Sequence, residues 1–344
     1  MKETLASSYS PQTVSQGLKK TKPKRAATKA LSLLFHFAIG FGIIVILWNT
    51  SSSIDWKQVT AHIRWGLLLM SIPVYLLYQI LGALLFILFL KPLCPNLNVN
   101  RIIRGYYAVK CFGILTPSVV EDAVLIPMFK KEGVEIKYGL AAFFSYKVLT
   151  CIVLITVVLF YFCFFRAAEI SILCYLCGAL FILSAPLLLF GLGYFGRAIR
   201  ASIKYVHPSF VPLYDNTVLF FQKVKKGSLL FVLIVIIRQF TAFLHSWLFL
   251  LVLGIPVPFL NASAATATGT LLGTFSIFPM NLGTNEAAMV LMISSYTASN
   301  QLIILSCLLN RLTSSILSVS SYLMISSTLS DQKGPHFSDN EALK

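Results

Sequence analysis

The chain has 344 residues, of which 57% are hydrophobic and only 12% charged, with a mean hydropathy of +0.80. That composition excludes an ordinary soluble domain and places the chain in a membrane. Its formal charge of +16 would suit a nucleic-acid partner, but the basic residues fall in the N-terminal tail and between the apolar runs, where they act as orientation signals, so no nucleic acid is expected.

Residues 1–30 are rich in Ser, Thr and Lys, include KKTKPKRAATK, and carry too little apolar surface to fold alone, so they are expected to form a disordered basic tail. The next run, LSLLFHFAIGFGIIVILW at 31–48, is too long for a signal-peptide core and lacks a small-residue cleavage pattern. It is predicted to remain as the first transmembrane helix. The alternative is a transit peptide, since the tail is basic and nearly free of acids.

Hydropathy then predicts further membrane-spanning helices at 66–90, 139–165, 170–195, 228–253 and 301–327, about six in all, each near the ~20 residues needed to cross the hydrocarbon core. No run alternates with period two, so an all-α polytopic membrane protein is expected and a barrel is not. Residues 328–344 read as a short polar tail. The seven cysteines lie in or beside apolar runs as small hydrophobes; Cys174 and Cys177 form a CxxC with no second pair and no nearby His, so no metal site and no cofactor are expected.

Two regions fit single spans badly. Residues 104–129 (RGYYAVKCFGILTPSVVEDAVLIPMF) and 259–299 are apolar but broken by Gly, Pro and acids, and each is predicted to be a pair of short helices forming a broken or re-entrant hairpin. The plainer alternative is a kinked ordinary span. The basic tail and the basic loop 196–227 mark the cytoplasmic side, with both termini there. On that topology 31–165 and 170–327 form possible inverted repeats, with one hairpin entering from each face.

Charges persist at membrane depth only where they face a protein interior or a wet cavity. Glu121, Asp122, Lys147, Arg238, Glu286 and Arg311 meet that description and are the candidate substrate-binding or transport residues; Pro117, Pro279 and Gly283 are the candidate hairpin breakers. The expected pairs are Lys147 with Glu121 or Asp122, and Arg311 or Arg238 with Glu286. Such pairs could simply neutralise one another in a packed bundle, or they could line a polar cavity suited to a lipid phosphate. His245 is expected to be a hydrogen-bonded packing residue, Gln79 and Gln239 interhelical hydrogen-bonding groups, Tyr106 and Tyr107 part of an interfacial belt, and the many Phe residues lipid-facing.

The stretch beginning RGYYAVKCFGILTPSVVED, together with FPMNLGTNEAAM and NRLTSSI, resembles the flippase-like family that includes the transmembrane region of lysylphosphatidylglycerol synthase. The resemblance covers 31–327 and places Pro117, Glu121, Lys147, Pro279, Gly283, Glu286 and Arg311 at family positions. Departures are Val120 for a glycine, Lys147 for an arginine, Thr150 for an aspartate, and Met280 and Asn281 where the family has two glycines. The best-known members carry a soluble aminoacyl-transferase domain after the membrane part; with this chain ending at Lys344, that synthesis is not expected of it.

The resemblance implies a lipid transporter or flippase, not an enzyme, moving a polar, anionic or phosphate-bearing lipid between leaflets of a bacterial-type plasma membrane. Membrane lipids are the expected partners; a partner enzyme and the oligomeric state stay open. No phosphate-binding loop is present to support ATP drive. The alternatives are an integral membrane enzyme on a lipid-linked substrate, for which no catalytic motif is found, and an accessory subunit acting through its basic tail.

Overall fold

The computed structural model describes residues 63–113, 118–131, 134–165, 225–274, 281–297 and 299–330, with isolated positions elsewhere. The predicted helices at 31–48 and 170–195, both tails and most of the basic loop 196–227 lie outside the described residues.

Eight α-helices follow one another among the described residues, with no strand: α1 Trp65–Leu90, α2 Val99–Phe112, α3 Ser118–Lys131, α4 Ile136–Phe165, α5 Lys225–Val252, α6 Phe259–Thr274, α7 Thr284–Ile293 and α8 Asn300–Ser330. A short 3-10 turn, Ser294–Tyr296, follows α7. Four helices, α1, α4, α5 and α8, are long and apolar enough to cross a membrane. Each agrees with its hydropathy span to within about three residues at either end. By contrast α7, with 10 residues, is only ~15 Å long at 1.5 Å per residue, half of a ~30 Å core, and α2, α3 and α6 with 14 to 16 residues also fall short.

The short helices pair as hairpins. In the second, Gly273 abuts Asn281, Gly269 abuts Asn285, Thr266 Oγ1 lies 3.9 Å from Met289 Sδ, and Asn261 Nδ2 donates to Tyr296 Oη at 2.6 Å. As one partner advances the other retreats, so α6 and α7 run antiparallel from a turn near Asn281. In the first hairpin α2 packs on α3, with Gly105 in the middle of α2 against Met128 near the end of α3. Both broken regions are therefore folded back as pairs of short helices.

Small residues make the second hairpin tight. A Cβ at Gly269 would stand 2.2 Å from Asn285 Oδ1, and one at Gly273 2.4 Å from Asn281 Nδ2, so α6 approaches α7 at a distance only glycine permits. The threonines of α6 return their hydroxyls to the carbonyl four residues back, as Thr266, Thr270 and Thr274 do at 2.8 to 2.9 Å, which satisfies them at membrane depth.

Helices α1 and α5 form the central pair and run antiparallel. The Arg64 amide donates to Val252 O at 3.1 Å, the Tyr75 ring meets His245 at 5.1 Å, and Phe89 meets Phe231 at 5.8 Å. Around this axis the packing exchanges between halves: α1 packs on α2 as α5 on α6, α2 on α8 as α6 on α4, α3 on α4 as α7 on α8, and α1 on α4 as α5 on α8. The described helices thus pair in the same pattern in the two halves, about two central antiparallel spans.

The core corrects two sequence expectations. Tyr106 and Tyr107 are buried, not interfacial, and pack with Phe86, Phe89, Phe129 and Phe231 between the first hairpin, α1, α4 and α5. Aromatic residues thus fill the junction of the halves, while others, such as Phe240 and Phe160, are exposed on the outer surface. Composition alone does not separate these roles, because lipid tails and helix interfaces are equally apolar.

Candidate functional site

The turn before α7 is built from residues with unusual backbones. Asn281 has φ +56° and Gly283 has φ +84°. Asparagine is among the few side chains that tolerate this left-handed region, because its short amide bonds locally. Its presence where the resembled family has glycine is therefore explained. Gly283 then caps α7, and Glu286, three residues on, reaches back to accept from its amide at 2.8 Å.

That carboxylate is completely buried and also holds Arg311. Arg311 Nη2 donates to Glu286 Oε2 at 3.1 Å and stands 2.8 Å from Oε1, and the same nitrogen donates to the Asn281 carbonyl at 3.1 Å. Of the two arginines expected as partners for Glu286, the structure selects Arg311. Arg311 is the twelfth residue of α8, ~17 Å along the helix and so near mid-depth. Its other terminal nitrogen, Nη1, has no hydrogen-bond partner.

Arg238 has a different setting. It is 2% exposed, and its guanidinium lies 4.0 Å from the Tyr78 ring centroid and 5.1 Å from that of Tyr146, whose hydroxyl accepts from Nη1. Its Nε faces Gly82, where a Cβ would stand 3.0 Å away. Aromatic faces are a favourable bed for a desolvated guanidinium.

Beside these groups lies a cavity of about 240 Å³. Tyr75 and Tyr78 of α1 line one wall; Ala242, His245 and Ser246 of α5 and Thr266 and Thr270 of α6 line others. Asn281, Asn285, Asn310 and Arg311 complete it. Two halves of the molecule thus contribute. His245 packs between Tyr75 and Phe249 and lies in hydrogen-bond reach of Asn310; it is a packing residue that also faces the cavity, and its Nε2 has no partner. Gln79 donates to Tyr75 Oη at 2.7 Å and to Ser318 at 3.2 Å, tying α1 to α8 behind the wall, the interhelical role expected of it.

The first half is only partly described. Glu121 and Asp122 are the fourth and fifth residues of α3, near its N-terminus, as Glu286 is the third of α7. Their side chains, Pro117 and Pro279 lie outside the described residues, and so does the expected pairing with Lys147. Lys147 is half-buried on α4, its Nζ 5.9 Å from the Phe143 ring. It is the twelfth residue of its helix, as Arg311 is of α8, so the two basic residues hold the same position in their respective helices.

Sequence reasoning missed the polar wall: Tyr75, Tyr78, Asn281, Asn285 and Asn310. Charge draws attention at membrane depth, whereas single asparagines and tyrosines on apolar helices read as packing. The signal available was their register, with Asn310 next to Arg311 and Asn285 next to Glu286.

The family model described as the lysylphosphatidylglycerol synthase TM region matches residues 32–320 of the chain. No curated protein and no solved structure matches.

Proposed function

We propose, from the premise that this chain belongs to the lysylphosphatidylglycerol synthase TM region family, that it is a lipid transporter, moving a polar lipid with an anionic or phosphate-bearing headgroup between leaflets without changing it chemically. The observation that supports this best is the Glu286–Arg311 pair, held by a broken-helix turn near mid-depth at the wall of a polar cavity lined from both halves of the chain. A structural ion pair needs no cavity beside it. A headgroup crossing the bilayer needs both a place without lipid contact and fixed polar groups there.

In this reading the headgroup enters the cavity and its phosphate meets the Arg311 guanidinium at the wall, while the acyl chains stay in the surrounding lipid. Glu286 holds Arg311 in place, and Lys147 with Glu121 and Asp122 does the equivalent work in the first half. The basic tail and the loop 196–227 face the cytoplasm.

The test is leaflet exchange of acyl-labelled phosphatidylglycerol in proteoliposomes, comparing the wild type with Glu286→Gln and Arg311→Ala. Exchange above protein-free vesicles that falls towards their rate in both variants is the expected result. Wild-type exchange no faster than empty vesicles, or variants equal to the wild type, would overturn the reading.

A further inference from the structure

We infer that a headgroup reaches the cavity sideways from the bilayer, through a polar seam between α1 and α8 where Tyr75, Gln79 and Ser318 part and Gln79 binds the passing headgroup. This rests on the transport reading above and adds to it a route of entry and a contact residue.

Packing closes the cavity along the direction of the spans. On α1 the lining residues Tyr75 and Tyr78 have Leu67 and Leu68 of one apolar cluster before them and Leu85, Phe86 and Phe89 of another after them. On α5 the order is Phe231 and Val235, then Ala242, His245 and Ser246, then Leu250 and Val252. On α8 Ile303, Ile304 and Cys307 precede Asn310 and Arg311, and Tyr322 and Ile325 follow. A headgroup moving along the spans would meet packed side chains in both directions, so its approach is from the side.

The contact of α1 with α8 is suited to open. The Tyr75 and Ser318 hydroxyls meet at 2.7 Å, and Gln79 Nε2 donates to Tyr75 Oη at 2.7 Å and to Ser318 Oγ at 3.2 Å. Ser318 is the nineteenth residue of α8. The nineteenth of α4 is Leu154, which packs with Phe243 of α5 and Ala267 of α6. The same level is therefore sealed by hydrocarbon in one half and by hydrogen bonds in the other. Hydrogen bonds exchange partners with an incoming polar group, whereas an apolar contact has nothing to offer it.

Gln79 gives a second, independent sign. It is completely buried, yet its Oε1 has no hydrogen-bond partner. An unsatisfied amide oxygen costs stability, and leucine would hold α1 against α8 without that cost. Once the seam parts, Oε1 accepts from a headgroup hydroxyl or ammonium, and Nε2 donates to a phosphate oxygen. Tyr75 belongs to both the seam and the cavity wall, so the route ends in the cavity. Leu76, Ile80 and Val319, each one residue on from a member of the seam, are exposed and apolar, which leaves surface there for acyl chains.

Two changes test this in proteoliposomes with acyl-labelled phosphatidylglycerol. Gln79→Leu should keep or raise the unfolding temperature and lower leaflet exchange about tenfold, the effect of one hydrogen bond lost in passage. Gln79→Cys combined with Ser318→Cys should exchange lipid until a short, reducible bis-thiol reagent links the two positions, then fall to the rate of protein-free vesicles and recover on reduction. The wild type and each single cysteine variant should be indifferent to the reagent. Undiminished exchange in Gln79→Leu or in the linked pair overturns the inference and leaves transport standing. Exchange lost together with a lowered unfolding temperature in Gln79→Leu makes Gln79 a structural residue and removes it from the route. Wild-type exchange no faster than protein-free vesicles overturns both.

Discussion

The Glu286 carboxylate and the Arg311 guanidinium meet at 2.8 Å, and the same carboxylate accepts from the Gly283 amide while the same guanidinium holds the Asn281 carbonyl. Two side chains thereby join the turn of the second hairpin to α8. Glu286 is fully buried and Arg311 has 14% of its side chain exposed, so removing either leaves the other charge without compensation. Glu286→Leu and Arg311→Leu should each destabilise the protein by ~3 to 5 kcal/mol, and the double variant should recover part of that loss. Thermal unfolding in detergent, run as a double-mutant cycle, measures the coupling; additive losses would mean that the pair does not act as a unit.

The glycines of α6 offer a second check. Gly269→Ala drives a Cβ against Asn285, and because α6 and α7 are already in contact neither can yield freely. A loss of ~1 to 3 kcal/mol is expected from overpacking. Asn285→Ala in the same chain removes the nearest clashing atoms and should restore part of it. Gly66→Ala, where a Cβ meets nothing within 4 Å, should leave the unfolding temperature unchanged.

Backbone and side-chain roles separate at Asn281. Its φ of +56° suits glycine, and its carbonyl, not its side chain, receives Arg311. Asn281→Gly should therefore keep the fold within about 1 kcal/mol, whereas Asn281→Val should cost at least ~1 to 2 kcal/mol, since a β-branched residue is disfavoured in the left-handed region. Lipid exchange should nevertheless fall in Asn281→Gly, because the cavity loses an amide. A stable Asn281→Gly protein with undiminished exchange would remove Asn281 from the binding wall.

Much of this fold was legible because lipid leaves few options. Unbroken apolar runs at 66–90, 139–165, 228–253 and 301–327 had to be helices, and prolines, glycines and acids inside the other two runs marked the hairpins. The Glu286–Arg311 pair was legible down to two candidate arginines. Their discrimination was not, since Arg238 and Arg311 are alike in depth and differ only in what the opposing helix presents: tyrosines at α1 and α4, a carboxylate at α7. The burial of Tyr106 was hidden for a related reason. It depends on Gly82 in α1, 24 positions earlier in the sequence, leaving space for the ring.

Arg238 supplies the last prediction, which concerns the junction of the halves. It rises from α5 and packs its guanidinium on Tyr78 of α1 and Tyr146 of α4, so one side chain from the second half touches two helices of the first. Tyr78 is shared with the cavity wall, which makes this stack the partition between the cavity and the aromatic core. Lysine keeps the charge but has neither the planar face nor the forked donors, so Arg238→Lys should weaken the junction about as much as Arg238→Gln. Tyr146→Phe keeps the ring and loses only the hydroxyl acceptor, and should cost less, ~1 to 3 kcal/mol, as for a hydrogen bond to a charged group. Ranking the three variants by unfolding temperature tests the assignment: a Lys variant as stable as the wild type would show that charge alone, and not the stacked plane, holds the two halves together there.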